Sequence, residues 1–360
     1  METALELSHR EFMKLDRDYN RSARAADLIY VSDTECGIKR IKKGKGFCYL
    51  LEDRPVKDKT IRKRIQRLAI PPAWTDVWIC VQENGHLQAT GFDQRKRKQY
   101  RYHPLWHSLR NETKFHRLYE FGKALPGLRK KMKADLATRE LPEEKVIATV
   151  ICLMEQTCIR IGNGDYEKLY GSYGLTTLKD NHVKVSGDTL HFSFRGKKGV
   201  FQNVRLRNRR LARTIQRCRD IPGKELFQFI DSNGKRQPID SGMVNAYIKE
   251  GAAGDFSAKD FRTWAGTLNM IRALSCQEPF DSEADCRKKI ITALDEVSAQ
   301  LGNSRTICRK YYVHPGVIRL YEEGALVKYL QSNGASEQAE DLEGLNAEEQ
   351  TLMKILRRLL

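Results

Sequence analysis

The sequence predicts an α+β protein in two parts: a small N-terminal β-sheet domain with helices, then a larger, mostly α-helical domain carrying a three-stranded sheet. Three observations predict it. Residues 77–81 (Val-Trp-Ile-Cys-Val) and 86–90 (His-Leu-Gln-Ala-Thr) are strand-like runs joined by Glu83-Asn84-Gly85, a hairpin signal. Val146, Ile147, Val150, Ile151 and Met154 recur at helical spacing, a stripe that reads as core. Residues 182–186, 189–195 and 200–206 alternate as three strands, with Ser186-Gly187-Asp188 and Gly196-Lys197-Lys198-Gly199 as turns.

The other elements follow in chain order. Residues 16–27 are polar and helix-compatible. Residues 27–30 and 47–50 read as short strands. Residues 59–68 form a basic helix that Ile70-Pro71-Pro72 stops. The pattern turns helical from about His107. Pro142-Glu143-Glu144 starts the helix of the apolar stripe, with acidic residues at the positive end of its dipole. Helices resume over residues 207–330. Residues 332–344 are polar and acidic, hence a linker, and Leu352, Ile355, Leu356, Leu359 and Leu360 then give a short amphipathic helix. A chain of 360 residues is long enough for about two domains. The divisions expected are 1–107, 108–331 and a tail over 332–360.

Lys and Arg outnumber Asp and Glu by 64 to 46, a net charge of +18, which points to a polyanionic partner, nucleic acid first. No apolar run approaches the ~20 residues that span a bilayer. The first residues, Met-Glu-Thr-Ala-Leu-Glu, lack the basic and apolar regions of a signal peptide, so an intracellular location is expected. The nine cysteines are odd in number and none has CxxC spacing, which argues against a disulfide framework and a structural zinc site.

Four residues far apart in sequence carry the chemistry. Tyr312 lies just before a proline break in Arg309-Lys310-Tyr311-Tyr312-Val313-His314-Pro315, where a nucleophile can face an open cleft. A phenol has a pKa of ~10 and needs cations nearby to attack a phosphodiester. Arg262 sits in Lys259-Asp260-Phe261-Arg262-Thr263-Trp264, after Ser257 and Asp260 in capping-box positions. Lys259 shares its helix face, and the two cations fit either one bound phosphate or a solvated basic turn. Arg160, between Ile159 and Ile161, fits a phosphate grip or a buried salt bridge. Lys197, at a hairpin tip, fits a solvated turn or a general acid that protonates a departing 5′ oxygen.

In that order these residues resemble the type IB DNA topoisomerases, in their compact poxvirus-like and bacterial branch. Arg160 occupies an Ile-Arg-x-Gly motif, with Tyr166 at the family's spacing; Lys197 the Gly-Lys hairpin; Arg262 the Lys-Asp-Phe-Arg-Thr-Trp motif; and Tyr312 the Lys-x-Tyr-aliphatic motif after Gly302-Asn303. Gly91-Phe92-Asp93 and residues 97–104 look like the family's DNA-contacting segment, and the likeness covers residues 27–321. The resemblance implies the tyrosine recombinase and type IB topoisomerase catalytic fold. It implies a monomeric, C-shaped two-domain clamp on duplex DNA in a bacterial cytoplasm, working on the nucleoid with no metal, nucleotide or other cofactor. Tyr312 would form a 3′-phosphotyrosyl link, Arg160 and Arg262 would stabilise the transition state, and Lys197 would be the acid. Asn303, where poxviral members carry histidine, would donate a hydrogen bond to a non-bridging oxygen. Lys98, Gln99, Tyr100, Tyr102, Tyr166 and Lys259 would contact DNA, with Gln99 reading a base edge. The competing reading is a tyrosine site-specific recombinase, which shares the Arg, Lys, Arg, Tyr set. It commonly has histidine where this chain has Lys259, and only the C-terminal helix favours it.

Overall fold

The runs read from the sequence assemble into two compact units, Met1–Arg117 and Leu118–Leu359. The computed structural model describes residues 7–16, 18–44, 46–331 and 344–360. The expected linker lies outside the described residues, apart from Gly344.

In the first unit, α1 (His9–Leu15) and α2 (Tyr19–Ala25) precede a six-stranded antiparallel sheet. Its strands are β1 (Ile38–Lys43), β2 (Gly46–Leu51), β3 (Arg54–Pro55), β4 (Thr75–Ile79), β5 (Leu87–Phe92) and β6 (Lys98–Tyr102), in spatial order β3-β2-β1-β4-β5-β6. Between β3 and β4 runs α3 (Lys59–Arg67), capped by Asp58, whose carboxylate accepts from the backbone N–H groups of Thr60 and Ile61. Ile38, Val77, Ile79 and Ala89 are buried against Ile65 of α3, which makes this half of the sheet a core. The β4–β5 hairpin pairs Trp78 with Thr90 and Ile79 with Ala89, as its turn signal predicts.

Two readings of this region need correction. Residues 27–30 make no strand, only a single bridge from Ile29 to Gly85. Asp27 has a left-handed backbone, and the Tyr30 ring stacks on His86 at 4.2 Å instead of entering a ladder. Conversely, Ile-Lys-Arg-Ile-Lys-Lys forms β1, which the sequence does not announce. Its lysines face solvent, and its place is fixed by pairing with β2 and β4 on either side.

The chain passes through α4 (Pro104–Ala137) into the second unit. There α5 (Glu143–Thr157) is central: Val146, Ala148, Val150, Ile151 and Leu153 are fully buried, so the helix is enclosed on all sides rather than along one stripe. After α6 (Gly164–Tyr170), β7 (Val183–Ser186), β8 (Thr189–Arg195) and β9 (Phe201–Arg207) form the expected antiparallel three-stranded sheet. The remaining elements are α7 (Arg209–Arg219), β10 (Gln228–Ile230), β11 (Arg236–Pro238), α8 (Ser241–Gly251), α9 (Ala258–Ser275), α10 (Glu283–Leu301), α11 (Arg305–Tyr311), α12 (Pro315–Glu322), α13 (Leu326–Gln331) and α14 (Ala347–Leu359).

The helical reading of 207–330 is thus broken by the β10–β11 hairpin. Its strands are three residues each, too short for a period, and the Asp231 carboxylate organises the turn by accepting from Asn233 and Lys235 N–H. In α14, Leu352, Ile355 and Leu356 are buried as their spacing predicts, whereas Leu360 lies beyond the helix and is exposed. Among the described residues no helix is long and apolar enough to cross a membrane, and all nine cysteines are free.

Candidate active site

Two helix ends build the site. The last turn of any α-helix leaves carbonyls without intrahelical partners. At the end of α5, Cys158 takes a left-handed backbone and its carbonyl accepts from Arg262 Nη1 at 2.5 Å. At the end of α10, Leu301 O accepts from Arg262 Nη2 at 2.8 Å. The next residue, Gly302, is left-handed (φ 57°) as a helix-terminating glycine should be, and its carbonyl accepts from Arg160 Nη2 at 3.1 Å. Asn303 Oδ1 accepts from the same nitrogen at 2.5 Å.

Both guanidiniums are therefore held by carbonyl oxygens. Neither has a carboxylate partner among the described residues. The salt bridge left open for Arg160 is absent there, and Arg262, only 6 % exposed, is not a solvated turn residue. Burial, and then the like charge of Arg262, push Arg160 down to about 10, still protonated at neutral pH.

Arg262 reaches this position because α9 starts cleanly. Asp260 accepts from Ser257 N–H at 2.8 Å, doing the work usually given to Glu in a capping box. Phe261, Trp264 and Leu268 then face the core. Tyr312 follows α11 directly and precedes the new helix that Pro315 begins, so the proline redirects the chain. The Tyr312 ring centre is 5.1 Å from the Arg262 guanidinium carbon. Its backbone is pinned from below: Thr267 Oγ1 donates to Tyr312 O at 3.2 Å, and Gly266 lies so close that a Cβ there would sit 2.6 Å from that oxygen. Any larger residue at 266 displaces the tyrosine.

At this site two buried donors, Arg262 Nε and Asn303 Nδ2, have no partner among the described residues. Buried donors are nearly always satisfied. One belongs to the Arg262 guanidinium and the other to the side chain that Arg160 donates to, an arrangement that fits an acceptor from outside the chain. Arg160, Lys197, Asn303 and Tyr312 line one cleft of about 1510 Å³. Lys197 begins the turn between β8 and β9, and although it meets solvent at the tip, burial by its surroundings and the charge of Arg160 push its ammonium below the usual lysine range.

Comparison with known proteins meets this geometry. The model for the eukaryotic DNA topoisomerase I catalytic core matches residues 96–338, and that for the bacterial DNA topoisomerase IB N-terminal domain matches residues 46–93. The chain belongs to the type IB DNA topoisomerases. DNA topoisomerase 1B of Acanthamoeba polyphaga mimivirus is 33% identical over 295 residues, covering 79% of this chain and 88% of the viral protein. DNA topoisomerase 1 of Mycosarcoma maydis is 25% identical over 178 residues, 44% of this chain and 17% of the fungal one.

The other residues expected to touch DNA in this topoisomerase are distributed differently. Lys98, Gln99, Tyr100 and Tyr102 lie on β6, an edge strand of the first unit. Tyr100 and Tyr102 share a face, their rings stacked 5.9 Å apart, and Tyr100 is 47% exposed. Lys98 pairs with Asp33 at 2.6 Å, and Gln99 Nε2 donates to Asp93 at 3.0 Å, so both already have protein partners. Lys259 is exposed on α9 while Arg262, three residues on, is buried. Tyr166 lies on α6, and its side chain is outside the described part of the molecule.

Sequence reasoning missed two groups in the cleft wall. One is Val200 and Phe201, the latter 64% exposed, an apolar pair whose signal was its position directly after Gly-Lys-Lys-Gly. The other is Arg129, Glu155 and Glu349, which have no local signal because they come from three distant segments.

Proposed function

We propose that this topoisomerase relaxes supercoiled duplex DNA by cutting one strand through a 3′-phosphotyrosyl intermediate, letting the free end swivel, and resealing it. The convergence of Tyr312, Arg160, Arg262 and Asn303 at two helix ends, with two unmet buried donors, supports this reading more than any other observation. The Tyr312 phenol oxygen attacks phosphorus as the bond to O5′ breaks. Its proton passes to solvent water in the open cleft, and Lys197 gives a proton to O5′. Arg160, Arg262 and Asn303 Nδ2 donate to the non-bridging oxygens as negative charge grows. The tyrosyl phosphodiester conserves the energy of the broken bond, so the 5′-hydroxyl reseals the strand by the reverse step without ATP.

The unit carrying β6 would contact the duplex beside the catalytic unit, the two closing as a C-shaped clamp formed by one chain. Residues 1–107 and 108–331 are the functional domains in this reading. The match to a bacterial N-terminal domain supports work on a bacterial nucleoid in the cytoplasm. The C-terminal helix, which favoured a recombinase, is buried on its own catalytic unit.

A negatively supercoiled plasmid with EDTA and no ATP tests the whole reading. Stepwise relaxation by a monomeric protein, without a paired recognition site, is expected. A strict need for a divalent metal or for two sites overturns it.

The acid role has its own test. A general acid must hold its proton, so the contribution of Lys197 is lost as pH rises through its pKa, which burial and the charge of Arg160 place below the usual lysine range. Lys197→Ala is expected to slow cleavage roughly 10²- to 10⁴-fold. On a substrate with sulfur replacing the bridging 5′ oxygen, whose thiolate leaves without a proton, the variant should approach wild type. Equal loss on both substrates would reassign the acid.

A further inference from the structure

The wall of the same cleft holds a set of charges that the proposed reaction does not use. Arg129, on α4, donates from Nε to Glu155 Oε1 at 2.9 Å. Its Nη2 donates to Glu155 Oε1 at 2.5 Å and Glu349 Oε1 at 2.7 Å, and its Nη1 to Glu349 Oε2 at 2.8 Å and Gly344 O at 2.9 Å. All five guanidinium N–H groups are thereby used. Glu349, on α14 and 2% exposed, also accepts from Trp264 Nε1 at 3.3 Å and Asn346 N at 3.0 Å.

The partners connect this cluster to the site. Glu155 precedes Arg160 by five residues at the end of α5, and Trp264 follows Arg262 by two on α9. Between α14 and α4 the fit is close: a Cβ on Gly122 would lie 2.3 Å from Met353 Sδ and 2.7 Å from the Trp264 ring. Burying ions costs desolvation energy, and an apolar contact would hold α14 as firmly. What the ion network adds is direction, because a fully used guanidinium fork admits one orientation of its partners.

We propose that Arg129 and Glu349 are positioning residues for strand cleavage: by tying α14 to the ends of α5 and α9 they hold Arg160 and Arg262 in register with the phosphate. Docking of the C-terminal helix then governs the chemical step and leaves DNA affinity alone. This rests on the transesterification reading above.

The test compares single-turnover adduct formation with equilibrium binding to the same duplex, for Glu349→Ala, Glu349→Gln, Arg129→Met and Arg129→Lys. Glu348→Ala, which removes an exposed ion pair of α14 with Arg272, is the control. Cleavage is expected to slow roughly 10- to 100-fold in Glu349→Ala and Arg129→Met, the scale of a sub-ångström to ångström misplacement. Affinity should stay within about twofold, as for a loss confined to the transition state. Arg129→Lys should recover part of the rate, and Glu348→Ala should match wild type. Thermal melting of each variant separates misfolding from misplacement, and Glu349→Gln, nearly isosteric, decides if the alanine variant unfolds. Affinity falling in step with rate, rate loss equal to the loss of folded protein, or an unchanged rate in Glu349→Gln and Arg129→Met would each overturn the proposal. Wild type in the same assay keeps the two ideas apart: a missing Tyr312 adduct there sinks the cleavage reading, whereas a normal adduct with unaffected variants sinks only this one.

Discussion

Tyr312→Phe is expected to bind duplex DNA as wild type does, to form no covalent adduct, and to lose plasmid relaxation by at least roughly 10⁴-fold, since in the proposed reaction the Tyr312 oxygen forms the ester. The substitution removes one oxygen and leaves the ring, which is packed against the core of the catalytic unit and lies beside Arg262. The backbone clasp by Thr267 and the close approach of Gly266 do not involve the phenol oxygen. Stability should therefore change little, which makes the loss a chemical one. Tyr311→Phe is the matched control and should retain activity. Mapping the trapped adduct by peptide mass measures the same point directly. An active Tyr312→Phe protein, or an adduct on another residue, would remove the nucleophile assigned here.

Arg262→Ala should slow cleavage on the order of 10³-fold, the scale of losing a preorganised donor to a developing oxyanion. A second cost falls on the fold. Cys158 O and Leu301 O lose their partner at the ends of α5 and α10, and a buried unsatisfied carbonyl costs about 1–3 kcal/mol. The two costs are separable by measuring adduct formation and the melting midpoint on the same preparations. Arg262→Lys keeps the charge but has no planar fork, so it cannot bridge both carbonyls and still present a donor to phosphate. It should be more stable than the alanine variant and still severely slow. Full activity in Arg262→Lys would mean that charge alone suffices and that the bridging geometry is incidental.

The sequence disclosed much of this because its strongest signals were local. The apolar spacing of α5, the Gly-Lys-Lys-Gly turn before β9, and the Ser257–Asp260 cap of α9 each sit within a few residues and survive folding unchanged. What it withheld was long-range. Strand β1 is mostly lysine and arginine, with Ile38 as its one buried side chain, and its pairing with β2 and β4 on either side fixes it in the sheet. Arg129, Glu155 and Glu349 meet across more than two hundred residues of chain. The two readings of Arg160, salt bridge or phosphate grip, could not be decided from Ile-Arg-Ile alone. They turn on Gly302 and Asn303, which approach only when α10 ends where it does.

Holding both guanidiniums with amide oxygens has a chemical corollary. A carboxylate clasp would loosen in acid and would cancel part of the attraction for the substrate. Here nothing in the clasp titrates in the biological range. The same arrangement leaves the centre open to any tetrahedral oxyanion small enough to enter, so inorganic sulfate or phosphate should act as a simple competitor of the scissile group. That liability goes with two guanidiniums that no carboxylate among the described residues neutralises by direct pairing.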